Sequence, residues 1–332
     1  MAFKDIVGNE RIKHILQGSL QKQRLPNSLL FCGPEGVGMR DMALTLAKAL
    51  LCETKGTDAC EACSVCRAMH LGREENRYPD FIVYSPEKNV IKIELMRELK
   101  ELVYIRPMLG SRRVFIVDEA EKMNAESANS VLKVLEEPPP FAYIILITTN
   151  PELILPTIKS RCRVLSFLPI SQLDIEKALR DKGMDDDKAK IVSLFSRGNL
   201  DQALEADWEE VAARRQAAWD MFRALLRRQG ASPFLDSYAF LKRKDAQEEL
   251  PQVLEAFSAF GRDLIVLKEG GDPRLLLNPD YEALLRQESQ ALSLGQALEF
   301  LTRVDAVLTG LDKSLNVGLL VSAFYSSIIS RL

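Results

Sequence analysis

Histidine is nearly absent from this chain of 332 residues: His14 and His70 are the two present. With so few, neither a Ser–His nor a Cys–His arrangement can be assembled convincingly, which excludes the commonest nucleophilic machinery. Long apolar runs are missing as well. Val317 to Ile329 is too short and too serine-containing to span a bilayer, and reads as a buried helix. Met1 to Glu10 mixes acidic and basic residues without an apolar signal core, so export is not expected and the cytoplasm is the default. No charge excess announces a polyanionic partner: the net charge is −3, so any DNA contact must be local. Disulfides are not expected in the cytoplasm, which leaves the six cysteines free for other work. There is no long low-complexity linker and no internal repeat. What remains is an ordinary globular composition, 47% hydrophobic and 27% charged, long enough for two or three domains with real cores.

The most informative stretch is Phe31-Cys32-Gly33-Pro34-Glu35-Gly36-Val37-Gly38-Met39-Arg40. Gly33 and Gly38 stand at the spacing of the phosphate-binding template G-x-x-x-x-G-K-[ST], with Gly36 between them. Ser28 to Cys32 suits a buried strand before the loop, and Met42, Leu44, Leu46, Ala47, Leu50 and Leu51 an apolar helix after it. Met39, however, occupies the lysine position and Arg40 the hydroxyl position. A working loop needs the ammonium for the β/γ oxygens and the hydroxyl for Mg²⁺, and neither replacement supplies them. A tight glycine turn at an ordinary strand–helix junction would look the same in isolation.

Short apolar strands alternate with helices through the first half. Asp80 to Tyr84, Arg113 to Asp118, Tyr143 to Ile147 and Val164 to Leu168 follow Ser28 to Cys32 as strands. Between them, Ile93, Met96, Leu99 and Val103 line one helix; Ala128, Val131, Leu132 and Leu135 line another, capped by Asn124 and stopped by Pro138-Pro139-Pro140. An earlier helix carries Ile12, Ile15, Leu16 and Leu20. This pattern predicts an α/β domain with a five-stranded parallel sheet covered on both faces, whose ligands bind at the carboxyl ends of the strands. The glycine loop, Asp118-Glu119 and Thr148-Thr149-Asn150 all fall at such ends. Beyond Pro169 the chain is helical only, with Ser171 and Asp174 in capping-box spacing. The expected division is 1–168, with a cysteine insert at 52–78, then a small helical unit at 169–207 and an all-helical region at 208–332.

Three constellations carry chemistry. Asp118-Glu119 ends an apolar strand where a nucleotide hydrolase holds Mg²⁺ and activates water; two exposed acids at a strand end are also common. Opposite a loop without lysine, Arg40 is expected to take the cation's place and pair with Asp118. Ser160-Arg161-Cys162 is by itself a surface arginine, but beside such a sheet it suggests an arginine finger offered to a neighbouring subunit's γ-phosphate, worth about 10³–10⁵ in rate. Cys52, Cys60, Cys63 and Cys66, spaced C-x₇-C-x₂-C-x₂-C, suit a closed, structural Zn²⁺ site. Reduced free thiols and an iron–sulfur cluster compete with zinc, although His70-Leu71 stands where the cluster motif has Cys-Pro. His70 is a further candidate ligand. Cys32 and Cys162 read as buried or motif-linked thiols.

Together these segments resemble the AAA+ clamp-loader family. The likeness is carried by Phe3 to Gly8, Gly33-Pro34-x-Gly36-x-Gly38, the four cysteines, Val117-Asp118-Glu119-Ala120, Ala128 to Pro138 with its Leu-Glu-Glu-Pro end, Thr148-Thr149-Asn150 and Ser160-Arg161-Cys162. It covers roughly the first two thirds; the rest fits a helical collar by position and length. The resemblance implies an AAA+ module followed by an oligomerisation domain. In Gly198 to Leu204, Asp201 takes the place where active members put a nucleotide-sensing arginine, and an acid there repels a triphosphate. The implied protein does not hydrolyse ATP: Gly33, Gly36, Gly38, Met39 and Arg40 form a degenerate loop, and Asp118, Glu119 and Thr148 are vestigial. It would sit in a pentamer with gamma/tau ATPase subunits and a delta subunit, present Arg161 in trans, and help load the sliding clamp on primed DNA. Two other functions compete. One is a divergent ATPase in which Arg40 substitutes for lysine. The other is a zinc-dependent DNA-binding module, disfavoured because Arg67 and Arg73 are balanced by Glu53, Asp58, Glu61, Glu74 and Glu75.

Overall fold

The computed structural model describes residues 1–69, 78–227, 246–290 and 293–311. His70 and the run from Val317 to Ile329 lie outside the described residues. Among the described residues there are five strands: β1 (Ser28–Cys32), β2 (Phe81–Tyr84), β3 (Arg113–Val117), β4 (Ala142–Thr148) and β5 (Arg163–Ser166). They pair in parallel, in the order β2-β3-β4-β1-β5. Every residue of β1 and β3 is buried, so the sheet is covered on both faces, as continuous apolar runs require.

The helices of this part are α1 (Glu10–Gln21), α2 (Met39–Leu51), α3 (Ser64–Ala68), α4 (Ile93–Leu102), α5 (Ala125–Glu136) and α6 (Pro156–Lys159). Met96 and Leu99 of α4 and Val131, Val134 and Leu135 of α5 share one core with Leu30, Phe115, Val117, Ile144 and Leu146 of the sheet. Each such side chain taken fully from water contributes about 1.5–3 kcal/mol. α2, outside that cluster, packs on β3 and β4. Asn124 caps α5, its side chain accepting from the Ser127 N–H at 2.8 Å. The strand expected at 164–168 begins and ends earlier, and among the described residues it pairs with β1 alone. As the sheet edge it leaves Val164 40% exposed, and Leu168 just beyond it 68%.

Asp80 ties β2 to the segment before β3. Its wholly buried carboxylate accepts N–H bonds from Met108 and Leu109 at 2.7 and 2.8 Å and pairs with the buried Arg113 at 2.9 Å. Burial alone would raise its pKa, but the Leu109 and Met108 amides and then Arg113 hold it below the ordinary carboxylate value.

Further on lie α7 (Gln172–Asp181), α8 (Asp186–Phe195), α9 (Leu200–Glu205), α10 (Trp208–Leu226), α11 (Ala246–Lys268), α12 (Glu282–Glu288) and α13 (Leu294–Leu311). Ser171 and Asp174 exchange hydrogen bonds before α7, as their spacing predicts. Packing divides the chain into two compact units, Met1–Ala178 with Arg197–Gln202, and Leu179–Ser196 with Ala203–Leu332. The segment expected as a separate small helical unit is therefore shared between them. The second unit is built on an aromatic core in which Trp219, Phe222, Phe257, Phe260 and Phe300 are all buried. Arg215 is buried there too, bonded to Asn278 at 3.0 Å and Asp280 at 2.6 Å. Among the described residues no helix is long and apolar enough to cross a membrane.

Candidate functional site

The glycine loop joins β1 to α2 at the carboxyl edge of the sheet. Gly36 and Gly38 have φ of +68° and +80°, conformations that a Cβ disfavours. Gly33 has a different reason to be glycine: a Cβ there would come 2.7 Å from Cβ of Phe167. Met39 opens α2 and is buried, with its sulfur against Gly33. The side chain at the lysine position is thus packed back into the protein and does not reach toward a phosphate. Arg40 Nη1 lies 2.8 Å from Asp118 Oδ2, the ion pair expected from the sequence. Asp118 is buried, which raises its pKa, while the Arg40 charge and the Glu119 N–H pull it back.

The other polar groups at this edge are also engaged within the chain. The Thr148 hydroxyl is buried and accepts from the Asn150 N–H at 3.1 Å. The Thr149 hydroxyl donates to Glu121 at 2.8 Å. Glu119 is exposed beyond the end of β3. The segment 197–202 closes over the loop: the Leu200 N–H donates to the Gly36 carbonyl at 2.8 Å. The Asn199 carboxamide lies so close to Gly36 that a Cβ there would overlap it. Its oxygen also accepts from the Gln202 N–H at 2.8 Å, while Asp201 is exposed. Asn9 fastens the loop from its other side, donating to the Val37 carbonyl at 3.2 Å and accepting from the Leu168 N–H at 3.0 Å.

Arg161 follows α6, its side chain 29% exposed. Its Nε donates to Glu136 at 2.9 Å and its Nη1 to the Thr157 carbonyl at 3.0 Å. Next to it Cys162 is half-buried, and burial pushes its thiol up to about 12; burial likewise raises Cys32. Neither belongs to the cysteine cluster.

The four cysteines of the insert converge. The sulfurs of Cys52, Cys60, Cys63 and Cys66 all lie within 4.8 Å of one another. Cys52 to Cys63 and Cys60 to Cys66 are each 3.9 Å apart, and none is in a disulfide. Metal–sulfur bonds of about 2.3 Å in a tetrahedron put the sulfurs about 3.8 Å apart, so the donor set fits a metal ion held by four thiolates. The Cys63 and Cys66 N–H groups donate to the sulfurs of Cys60 and Cys63, each at 3.3 Å. The amides of Ala62 and Cys63 draw the Cys60 thiol down to about 6, whereas burial raises Cys66, the charge that a cation would neutralise. The insert is tied to the amino terminus and to α2: Asp58 accepts from the Phe3 N–H at 3.0 Å, and Glu61 pairs with the buried Lys48 of α2 at 2.7 Å.

A family model described as DNA polymerase III, delta subunit matches residues 8–171. DNA polymerase III subunit delta' of Bacillus subtilis is 28% identical over 300 residues, covering 89% of this chain and 89% of that protein. The tau subunit of Escherichia coli DNA polymerase III is 36% identical over 176 residues, which are 53% of this chain and 26% of that longer protein. Over these stretches the chain is similar to subunits of DNA polymerase III. A gamma subunit-related protein of Thermotoga maritima aligns over 96% of the chain at 16% identity, with a TM-score of 0.41, too low to carry functional weight.

The loop, Asp118 and Thr148 come together at the carboxyl ends of the strands, and Arg161, just after α6, bonds instead to Glu136 and Thr157. Three contributors were not singled out from sequence. Asn9 looks like any residue before a helix. Asn199 and Glu136 fell inside quoted motifs, but nothing local says that one reaches Gly36 and the other Arg161.

Proposed function

We propose that this chain is the delta-prime stator of a DNA polymerase III clamp loader, a subunit that does not hydrolyse ATP and supplies Arg161 to the ATP of a neighbouring gamma/tau subunit. Its partners are then gamma/tau and delta, and through the assembly the sliding clamp and primed DNA. The domains divide as an AAA+ module at 1–168, a lid at 169–207 and a collar at 208–332, with structural Zn²⁺ on Cys52, Cys60, Cys63 and Cys66. One observation carries this assignment: the cation position of the cleft is filled by Arg40 on Asp118, while Arg161 stays accessible. A guanidinium on the acid leaves no place for Mg²⁺, and a buried Met39 offers the phosphates no charge. The likeness to the delta' subunit over nearly the whole chain supports it further.

The test is reconstitution with gamma/tau and delta, using a complex in which only the neighbour served by this chain keeps its loop lysine. Arg161→Ala should leave folding intact and lower turnover at that site by about 10³-fold or more. Unchanged turnover refutes the trans assignment. Turnover by the purified chain alone that vanishes on Asp118→Ala would favour a divergent ATPase.

A further inference from the structure

Resting on that assignment, we infer that Glu136 is a positioning residue for the Arg161 finger. Both Nε and Nη2 of Arg161 lie 2.9 Å from the same oxygen, Oε2 of Glu136, and Nη1 donates to the Thr157 carbonyl at 3.0 Å. A guanidinium carries five N–H groups. With Nε and Nη1 each donating once and Nη2 at ion-pair distance from the carboxylate, at least one N–H is left on each terminal nitrogen for the oxygens of a phosphate. The carboxylate therefore holds one part of the group and leaves the rest presented. At 57% exposure of its side chain, Glu136 stays at the surface beside the finger.

The two elements differ in rigidity. Arg161 follows α6, a helix of four residues, and a long side chain on so short a turn has many rotamers to sample. Glu136 is the last residue of α5, a helix of 12 residues capped by Asn124 and pinned by the buried Val131, Val134 and Leu135. Leu135 in the core sets the direction in which Glu136 points, and Pro138-Pro139-Pro140 stops the chain directly after. A carboxylate at a helix carboxyl end opposes the helix dipole, so α5 itself gains nothing from Glu136. The residue's favourable partner is Arg161. The pair costs the finger some of its charge and gives it a fixed geometry, which matters most in the transition state.

In the complex described above, Glu136→Ala should lower single-turnover hydrolysis at the served site about three- to tenfold with the KM for ATP unchanged, while Glu136→Gln, which keeps an acceptor oxygen, should stay within about twofold. In an Arg161→Ala background, Glu136→Ala should add nothing. If Arg161→Ala lowers turnover but Glu136→Ala leaves it unchanged, or still lowers it without the arginine, the positioning role is wrong and the finger stands. A rise in turnover with Glu136→Ala would mean that the carboxylate holds the finger back, and also overturns the inference. If Arg161→Ala itself has no effect, the underlying assignment fails instead.

Discussion

Arg40→Ala isolates the ion pair between Arg40 and Asp118. Two unit charges 2.8 Å apart interact by about 1.5 kcal/mol in bulk water and by about 6 kcal/mol at an effective dielectric near 20. Asp118 is nearly closed off, at 12% side-chain exposure, but Arg40 is 51% exposed, so solvent screens most of the larger figure. A net loss of about 1–2 kcal/mol follows. For a unit of this size that is a fall in Tm of roughly 3–6 °C, read by calorimetry because a chain of two units has no single unfolding free energy. The pH dependence has a definite sign. Burial raises the folded-state pKa of Asp118 above its unfolded value, and Arg40 opposes that rise. Without Arg40 the pKa climbs further, so the deficit is complete at neutral pH and shrinks as the pH falls and the carboxyl protonates. In the Arg40→Ala background, Asp118→Asn should recover most of the loss, since the carboxyl left behind no longer needs a cation. A deficit that is flat with pH, or that adds to the effect of Asp118→Asn, would refute the pairing.

Loading the four thiols with Zn²⁺ and then chelating it should loosen residues 52–69 and, through Asp58, the amino-terminal turn; exchange of the Phe3 amide then accelerates at least about tenfold. In the stripped protein near pH 7, an alkylating agent should reach Cys60 first, its thiol lying near 6, and Cys162 last, its thiol near 12; uniform labelling contradicts both environments. Gly36→Ala places a Cβ onto the Asn199 carboxamide at a residue with φ of +68°. It should cost about 1–3 kcal/mol and speed exchange of the Leu200 amide, with Asn199→Gly in the same background relieving the steric part. No change at Leu200 would mean that the 197–202 segment is held by something other than the loop.

Much of the fold is written in short-range pattern. Continuous apolar strands such as Ser28–Cys32, the spacing of Ala128, Val131 and Leu135, the Asn124 cap and the proline stop after α5 are set by neighbours within a few residues, and periodicity reads them directly. The glycine spacing and the clustered cysteines are equally local, so the loop and the four converging thiols were legible as motifs. The departures from the loop template at Met39 and Arg40 were legible too, because residue identity shows them whatever surrounds them. Asn199 against Gly36, Glu136 under Arg161 and the exposed edge at β5 belong to another class. Each depends on strand order and on which distant segments pack together, and a polar side chain carries no periodic signal of its partner. Residue chemistry alone told which groups the cleft had lost; only the folded chain decided what took their places, because packing selects among the many partners that an amide, a carboxylate or a guanidinium can accept.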